Sequence, residues 1–167
     1  MQIETATFGA GCFWGVEAAF SKLAGVLTTS VGYMGGHFEH PLYLDVCARI
    51  TGHAEVAQLE YDPAIASYEA LLHTFWTIHD PTTLNRQGPD RGEQYRSVIF
   101  YHTPEQAQLA RRSRDELTRA GRYENAIVTQ MQPASTYWRA TEEHQRYFEK
   151  KAEKIHRLTE AHEPINF

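Results

Sequence analysis

Apolar spacing in this chain keeps changing period, and that constrains the fold more than any single residue does. Ile3 to Gly9 reads as a strand, and Phe13, Val16, Phe20 and Leu23 then recur at helical spacing. Leu27, Thr29, Val31 and Tyr33 alternate, which predicts a second strand, with Gly25 as C-cap of the helix before it. Ala54 to Tyr61 alternates again and stops at Asp62-Pro63. Ser67 is placed to cap a helix carrying Leu71, Leu72, Phe75 and Ile78. Tyr95 to Tyr101 reads as a fourth strand, and Thr103-Pro104-Glu105 opens a charged helix. Ile127 to Met131 is a short strand, and Thr141 to about Leu158 a mostly surface helix. Strand–helix–strand units of this length predict an α/β or α+β two-layer domain, with helices packed on a sheet.

Two stretches break the pattern, from His37 to Gly52 and from His79 to Gln94 (HDPTTLNRQGPDRGEQ). Long connections without regular structure are uncommon in a compact domain and are often functional. With the segment around Cys12 they are the candidate site segments.

The bulk numbers narrow the function classes. A chain of 167 residues suits a single domain, taken as 1–167. A net charge of −5 gives no electrostatic reason to expect nucleic acid or an anionic membrane. No apolar run approaches the roughly 20 residues of a membrane span, and the N-terminus lacks the pattern of a secretory signal. With 2 cysteines there is no disulfide framework, so a cytoplasmic protein with reduced thiols is expected.

Cys12 lies where the first strand ends and the first helix begins, in GAGCFWG. Helix starts present unpaired N–H groups and a positive dipole end, so a thiolate should be stabilised there. Gly9, Gly11 and Gly15 should allow close approach of a ligand or of another backbone. An inert buried cysteine in a tight turn is the alternative. The segment opens like a dinucleotide fingerprint, but Trp14 replaces the third glycine, and no acidic residue lies between Glu17 and Glu39. A cysteine hydrolase would need one of the 9 histidines as base. His37, His40, Cys47 and His53 have ligand-like spacing, but no tight cysteine pair supports a metal site, and none is assigned.

Glu55 shares one face of its strand with Ala57, Leu59 and Tyr61. Its carboxyl should therefore point to the apolar side, with its pKa raised by desolvation. A neutral carboxyl beside a nucleophile can protonate a leaving oxygen. A glutamate at the strand end reaching solvent or an arginine is the alternative.

GCFWG at Gly11–Gly15, YMGG at Tyr33–Gly36, TGHAE at Thr51–Glu55, YDP at Tyr61–Pro63 and HDPTTLNRQGPDRGEQYRS at His79–Ser97 occur in that order. Read together, they resemble the peptide methionine sulfoxide reductases of the A type, over roughly residues 5 to 150. The resemblance implies a two-layer sandwich whose mixed sheet has a ferredoxin-like core, acting as a monomer. It implies reduction of methionine S-sulfoxide, free or in oxidised proteins, through a cysteine sulfenic acid. In that reaction Cys12 is the nucleophile, Glu55 the acid, and Tyr43 and Tyr95 the hydrogen-bond donors to the sulfoxide oxygen. Phe13 and Trp14 form the wall for the substrate methyl, and Asp90 lines the same pocket. No cofactor is bound; an external thiol, thioredoxin or glutathione with glutaredoxin, supplies the electrons. A catalytically idle binding module would need neither Cys12 nor Glu55.

The sequence departs from the family in two places. Relatives often carry recycling cysteines in a glycine-rich tail, whereas the tail here is HRLTEAHEPINF and Cys47 is the only other cysteine. Cys47 sits in VCAR, from Val46 to Arg49, where the family block usually reads VCSG. Direct reduction of Cys12 by an external thiol is expected, with Cys47 as the possible resolving thiol.

Overall fold

The computed structural model describes residues 2–161. In chain order the elements begin β1 (Glu4–Ala10), α1 (Phe13–Ser21), β2 (Val26–Met34), α2 (Tyr43–Cys47), β3 (Ala54–Tyr61) and α3 (Tyr68–Thr77). They continue with β4 (Arg86–Gln87), β5 (Asp90–Arg91), β6 (Ser97–Tyr101), α4 (Pro104–Arg119), β7 (Gln130–Pro133), β8 (Trp138–Arg139) and α5 (Tyr147–Ala161). Single 3-10 turns occupy Glu93–Tyr95 and Glu142–His144.

The main sheet has 6 strands in the order β7-β6-β1-β3-β2-β8. β6 and β7 run parallel and every other neighbouring pair is antiparallel, so the sheet is mixed. Its middle, β6-β1-β3-β2, is joined through α1 and α3 in the βαββαβ order of a ferredoxin-like core. Phe8, Leu59, Tyr61 and Ile99 of the sheet pack against Phe20, Leu71, Phe75 and Ala110 of the helices. The opposite face buries Met34, Val56, Val98 and Phe100, with Ala134 and Tyr137 packed against them. β3 is therefore covered on both sides, which is why its first four residues are all buried rather than alternating.

Side-chain caps fix the starts of α3 and α4. The Ser67 hydroxyl accepts from the Ala70 amide at 3.1 Å, and Thr103 accepts from Gln106 at 3.1 Å with Pro104 following. Other boundaries differ from the sequence reading. α1 ends at Ser21 with Lys22 as its C-cap, and Gly25 serves the turn into β2 instead: its φ is +96°, and a Cβ there would lie 2.7 Å from Ala66 Cβ. The stretch from His37 to Gly52 contains α2, whose five residues are too few for a helical period to show. Tyr95 closes a 3-10 turn, with its amide bonded to Gly92 O at 3.0 Å, so the fourth strand begins only at Ser97. The Val128 amide is drawn to Pro81 O at 2.8 Å, so β7 starts at Gln130 rather than Ile127. The final helix is preceded by the Glu142–His144 turn, and the last part of the tail, residues 162–167, lies outside the described residues.

Candidate active site

β1 delivers the chain through Gly11, where φ is +96° and Gln87 packs within 2.9 Å of where a Cβ would stand, into Cys12 as N-cap of α1. Gly9 is filled from its protein side, by Val98 and the Glu55 carbonyl, whereas Gly15 is open, with nothing within 4 Å. Of the three glycines, only Gly15 leaves room beside the thiol.

Burial raises the Cys12 pKa and outweighs every other influence on it. The amides of Trp14 and Gly15 favour the thiolate, as a helix start should. The charges of Glu55 and Asp90 oppose them, and the thiol is pushed up to about 11. The expected stabilisation is present but loses to desolvation, so the resting side chain is a thiol.

Glu55, near the start of β3, is 1% exposed. Its Oε1 accepts from the Phe13 amide at 3.1 Å, which ties it to the turn that holds Cys12. Its Oε2 is buried and has no hydrogen-bond partner among the described residues. Burial pushes the carboxyl up to about 7, with the Asp90 charge adding and the Phe13 amide opposing. The alternative of a solvent-reaching or arginine-paired glutamate is excluded by this burial.

Two loops bring the remaining predicted residues to this point. Tyr43 opens α2, and burial followed by the neighbouring Cys47 thiol raises its pKa. Tyr95 is pushed up to about 12 by burial, then by Glu55, Asp90, Cys47 and Cys12, so all four lie around it. Asp90 pairs with Gln87 in the β4–β5 hairpin, whose Arg91 carbonyl accepts from Arg49 Nη2 at 2.7 Å. Cys47 is exposed on α2 and, like Cys12, is a free thiol.

Phe13 is fully buried, with its ring 5.6 Å from Tyr33, 6.4 Å from Tyr43 and 5.6 Å from His144. Trp14 is half-buried and stacks 3.9 Å over Tyr147. Its indole N–H donates to His144 Nδ1 at 3.2 Å. The two aromatics thus form one cluster, with Trp14 as its more exposed member. The sequence motifs alone do not mark Tyr33, His144 and Tyr147 as site residues. The latter two reach the cluster from the far end of the chain, which no local pattern reports. Tyr33 carried a signal, since it precedes the glycine pair of YMGG.

His53 braces the first loop: its Nδ1 accepts from the Gly36 amide at 2.9 Å and its Nε2 donates to Phe38 O at 2.7 Å. Both ring nitrogens are thereby engaged away from a metal. Among the described residues no group of three or more His, Cys, Asp or Glu is placed to hold a metal ion. Nor does any histidine hydrogen-bond Cys12 among them, as a hydrolase dyad would require. No helix in the described residues is long and apolar enough to cross a membrane.

The site thus sets a helix-start thiol close to a buried carboxyl at one end of a ferredoxin-like sheet. The family model for peptide methionine sulfoxide reductase matches residues 4–166, and the chain belongs to that family. It is 66% identical over 152 residues to peptide methionine sulfoxide reductase MsrA 1 of Nostoc sp., across 91% of this chain and 93% of that one. Mxr1 from Saccharomyces cerevisiae in reduced form has the same fold, with a TM-score of 0.85 and 33% identity over 90% of this chain and 87% of that one. Methionine sulfoxide reductase A of Corynebacterium diphtheriae gives 0.79 and 36%, over 90% and 76%. Mxr1 in complex with Trx2 shares the fold at a TM-score of 0.58 and 24% identity, over 87% and 85%. The activity is reduction of methionine S-sulfoxide to methionine, which repairs oxidised proteins.

Proposed function

We propose that Cys12 attacks the sulfoxide sulfur while Glu55 protonates the sulfoxide oxygen. The observation that carries this reading is the Glu55 carboxyl: buried, anchored by one oxygen to the Phe13 amide, with the other oxygen unpartnered. A sulfoxide oxygen leaves poorly unless protonated, and a carboxyl raised to about 7 holds a proton to give at neutral pH. Protonation makes the sulfur more electrophilic, so a resting thiol is not a barrier. As the Cys12 sulfur bonds to the substrate, its proton passes to the Glu55 carboxylate and restores the acid. The oxygen then passes to Cys12 Sγ: the cysteine is oxidised by two electrons to sulfenic acid and the sulfoxide sulfur is reduced to a thioether.

Tyr43 and Tyr95 are the hydrogen-bond donors to the oxygen, and their raised pKa values keep both hydroxyls protonated. Trp14 and Phe13 provide an apolar surface for the methyl end, which suits a thioether. Asp90 lines the same recess and adds negative charge that helps Glu55 keep its proton.

An external thiol restores Cys12. One thiol condenses with the sulfenic acid and releases water; a second displaces the mixed disulfide and frees the cysteine. Thioredoxin, or glutathione with glutaredoxin, fits this role, and free thiols fit a reducing cytoplasm. Cys47 is the alternative resolving thiol, exposed one helical turn from Tyr43. We read residues 1–167 as one catalytic domain acting as a monomer.

Single-turnover reduction of the two epimers of a methyl sulfoxide tests the chemistry. Cys12→Ser should abolish turnover, and Glu55→Gln should remove most of it, since the two groups act as a unit. Full activity in Cys12→Ser defeats the assignment. Mass analysis without reductant after one turnover tests recycling: a glutathione adduct on Cys12 supports the external thiol, and a quantitative Cys12–Cys47 disulfide sinks it.

A further inference from the structure

A second buried polar atom, unpartnered among the described residues, leaves the same face of the sheet as the Glu55 carboxyl. The Tyr33 hydroxyl, like Glu55 Oε2, is buried without a hydrogen-bond partner among the described residues. Tyr33 and Glu55 stand directly opposite each other across the β2–β3 ladder, so their side chains leave the same face of the sheet. Both residues are 1% exposed. The Tyr33 ring is clamped by Phe13 at 5.6 Å and packed among Val31, Val46 and Ala140, so it cannot swing its hydroxyl to solvent. A phenylalanine would fill this space equally well, without the cost of an unsatisfied hydroxyl.

We propose that Tyr33 is a positioning residue for the proton donor: across one bridging water, its hydroxyl donates to Glu55 Oε2 once that oxygen has given its proton to the substrate. The proposal rests on the reading of Glu55 as the acid. Oε1 is held by the Phe13 amide, so Oε2 is the oxygen that transfers the proton and is left to carry charge. A bridging water needs polar partners on two sides, and the two unpartnered atoms supply them. The hydroxyl keeps its own proton throughout; only the Oε2 proton moves. The donor stabilises the carboxylate, which strengthens the acid without exposing it to solvent.

Other titratable groups face this pair from every side. Glu55 acts electrostatically on Cys12 at the start of α1, Tyr43 on α2, Tyr95 in its 3-10 turn and Tyr33 on β2, and is itself acted on by Asp90 on β5. Tyr33 also feels Tyr43 and Cys47 of α2 and Glu143 of the second 3-10 turn, and the His144 ring closes on Phe13 and Tyr43.

The test is Tyr33→Phe in the full chain, with kcat and KM measured across pH and the thermal midpoint alongside. Loss of a hydrogen bond to a charged group should lower kcat by roughly tenfold or more and leave KM unchanged. The alkaline limb set by Glu55 should move to higher pH, because the lost donor favoured the charged form. The midpoint of unfolding should stay or rise. In a Glu55→Gln background the same change should cost nothing more. Wild-type kcat with an unmoved limb overturns the proposal. So does a lower kcat with a lower unfolding midpoint and an unmoved limb, which is a packing role. Further loss in the Glu55→Gln background places the action of Tyr33 elsewhere and also overturns it. If Glu55→Gln alone keeps the full rate, the acid assignment itself fails, and this proposal with it.

Discussion

At Glu55 one carboxylate oxygen meets an amide and the other meets no partner among the described residues, in a place closed to bulk solvent. That asymmetry has a cost that depends on pH. The folded-state pKa of about 7 lies above the ordinary value of 4.5. Below the ordinary value the carboxyl is neutral folded and unfolded, and the full stability is present. As pH rises through the folded value, the unfolded state gains by ionising freely, and stability is lost. Glu55→Gln should therefore match the wild type in urea unfolding near about pH 4 and exceed it by roughly 3 kcal/mol near about pH 9. Equal stability at both pH values would mean the carboxyl is not desolvated. A second expectation concerns the thiol. Glu55 ranks ahead of Asp90 among the charges that raise Cys12, after burial. Glu55→Gln should lower the pH midpoint of Cys12 alkylation, Asp90→Asn should lower it less, and neither should bring it to the ordinary thiol range, because burial remains.

At the scale of elements, the segment that closes β8 and opens α5 acts as a latch over the nucleophile's helix. Gln145 donates to the carbonyls of Val31 and Ala140, each at 2.9 Å, and accepts from the Val31 amide at 2.8 Å. The Arg146 amide donates to the buried Glu17 carboxylate, which also accepts from Thr29 at 2.9 Å. Together these fix His144 beneath Trp14. Gln145→Ala should leave two buried backbone groups unpaired, the Val31 amide and the Ala140 carbonyl, while the Val31 carbonyl keeps the Ala140 amide at 3.0 Å, and should cost about 2–4 kcal/mol in urea unfolding. It should also raise KM for a sulfoxide substrate more than it lowers kcat, since the loosened element carries His144 and Tyr147, which brace the aromatic wall, and not the reacting groups. A change confined to kcat would argue against the latch. Gly11→Ala probes the other side of α1, where a positive φ and the Gln87 side chain both oppose a Cβ.

Over the whole molecule, the thiol, the carboxyl and the tyrosines come from distant parts of the chain and meet at one end of a sheet whose centre is β1 and β3. Both strands are covered on each side and paired on each edge. Their amides should exchange with deuterium only through global unfolding. The two-residue β8 at the sheet edge, which carries the latch, should exchange earlier. α5 has no buried residue, so beyond its first turn it should exchange earliest of the helices. Protection of α5 equal to that of β3 would show this ranking to be wrong.

What the sequence determined by itself was whatever local periodicity and ordered motifs can carry. The strand Ala54 to Tyr61, the caps at Ser67 and Thr103, and the place of Cys12 at a helix start were all legible, because each depends on neighbours in the chain. Glu55 could be assigned to the apolar side of its strand for the same reason. Tertiary structure alone decided the rest. It set desolvation against the helix start at Cys12, and desolvation prevailed. It placed Tyr33 opposite Glu55 through a register between two strands that no single strand encodes. It brought His144 to Trp14 across a separation of 130 residues. Protonation state and hydrogen-bond partnership depend on which surfaces exclude water, and that is a property of packing, which the one-dimensional pattern does not contain.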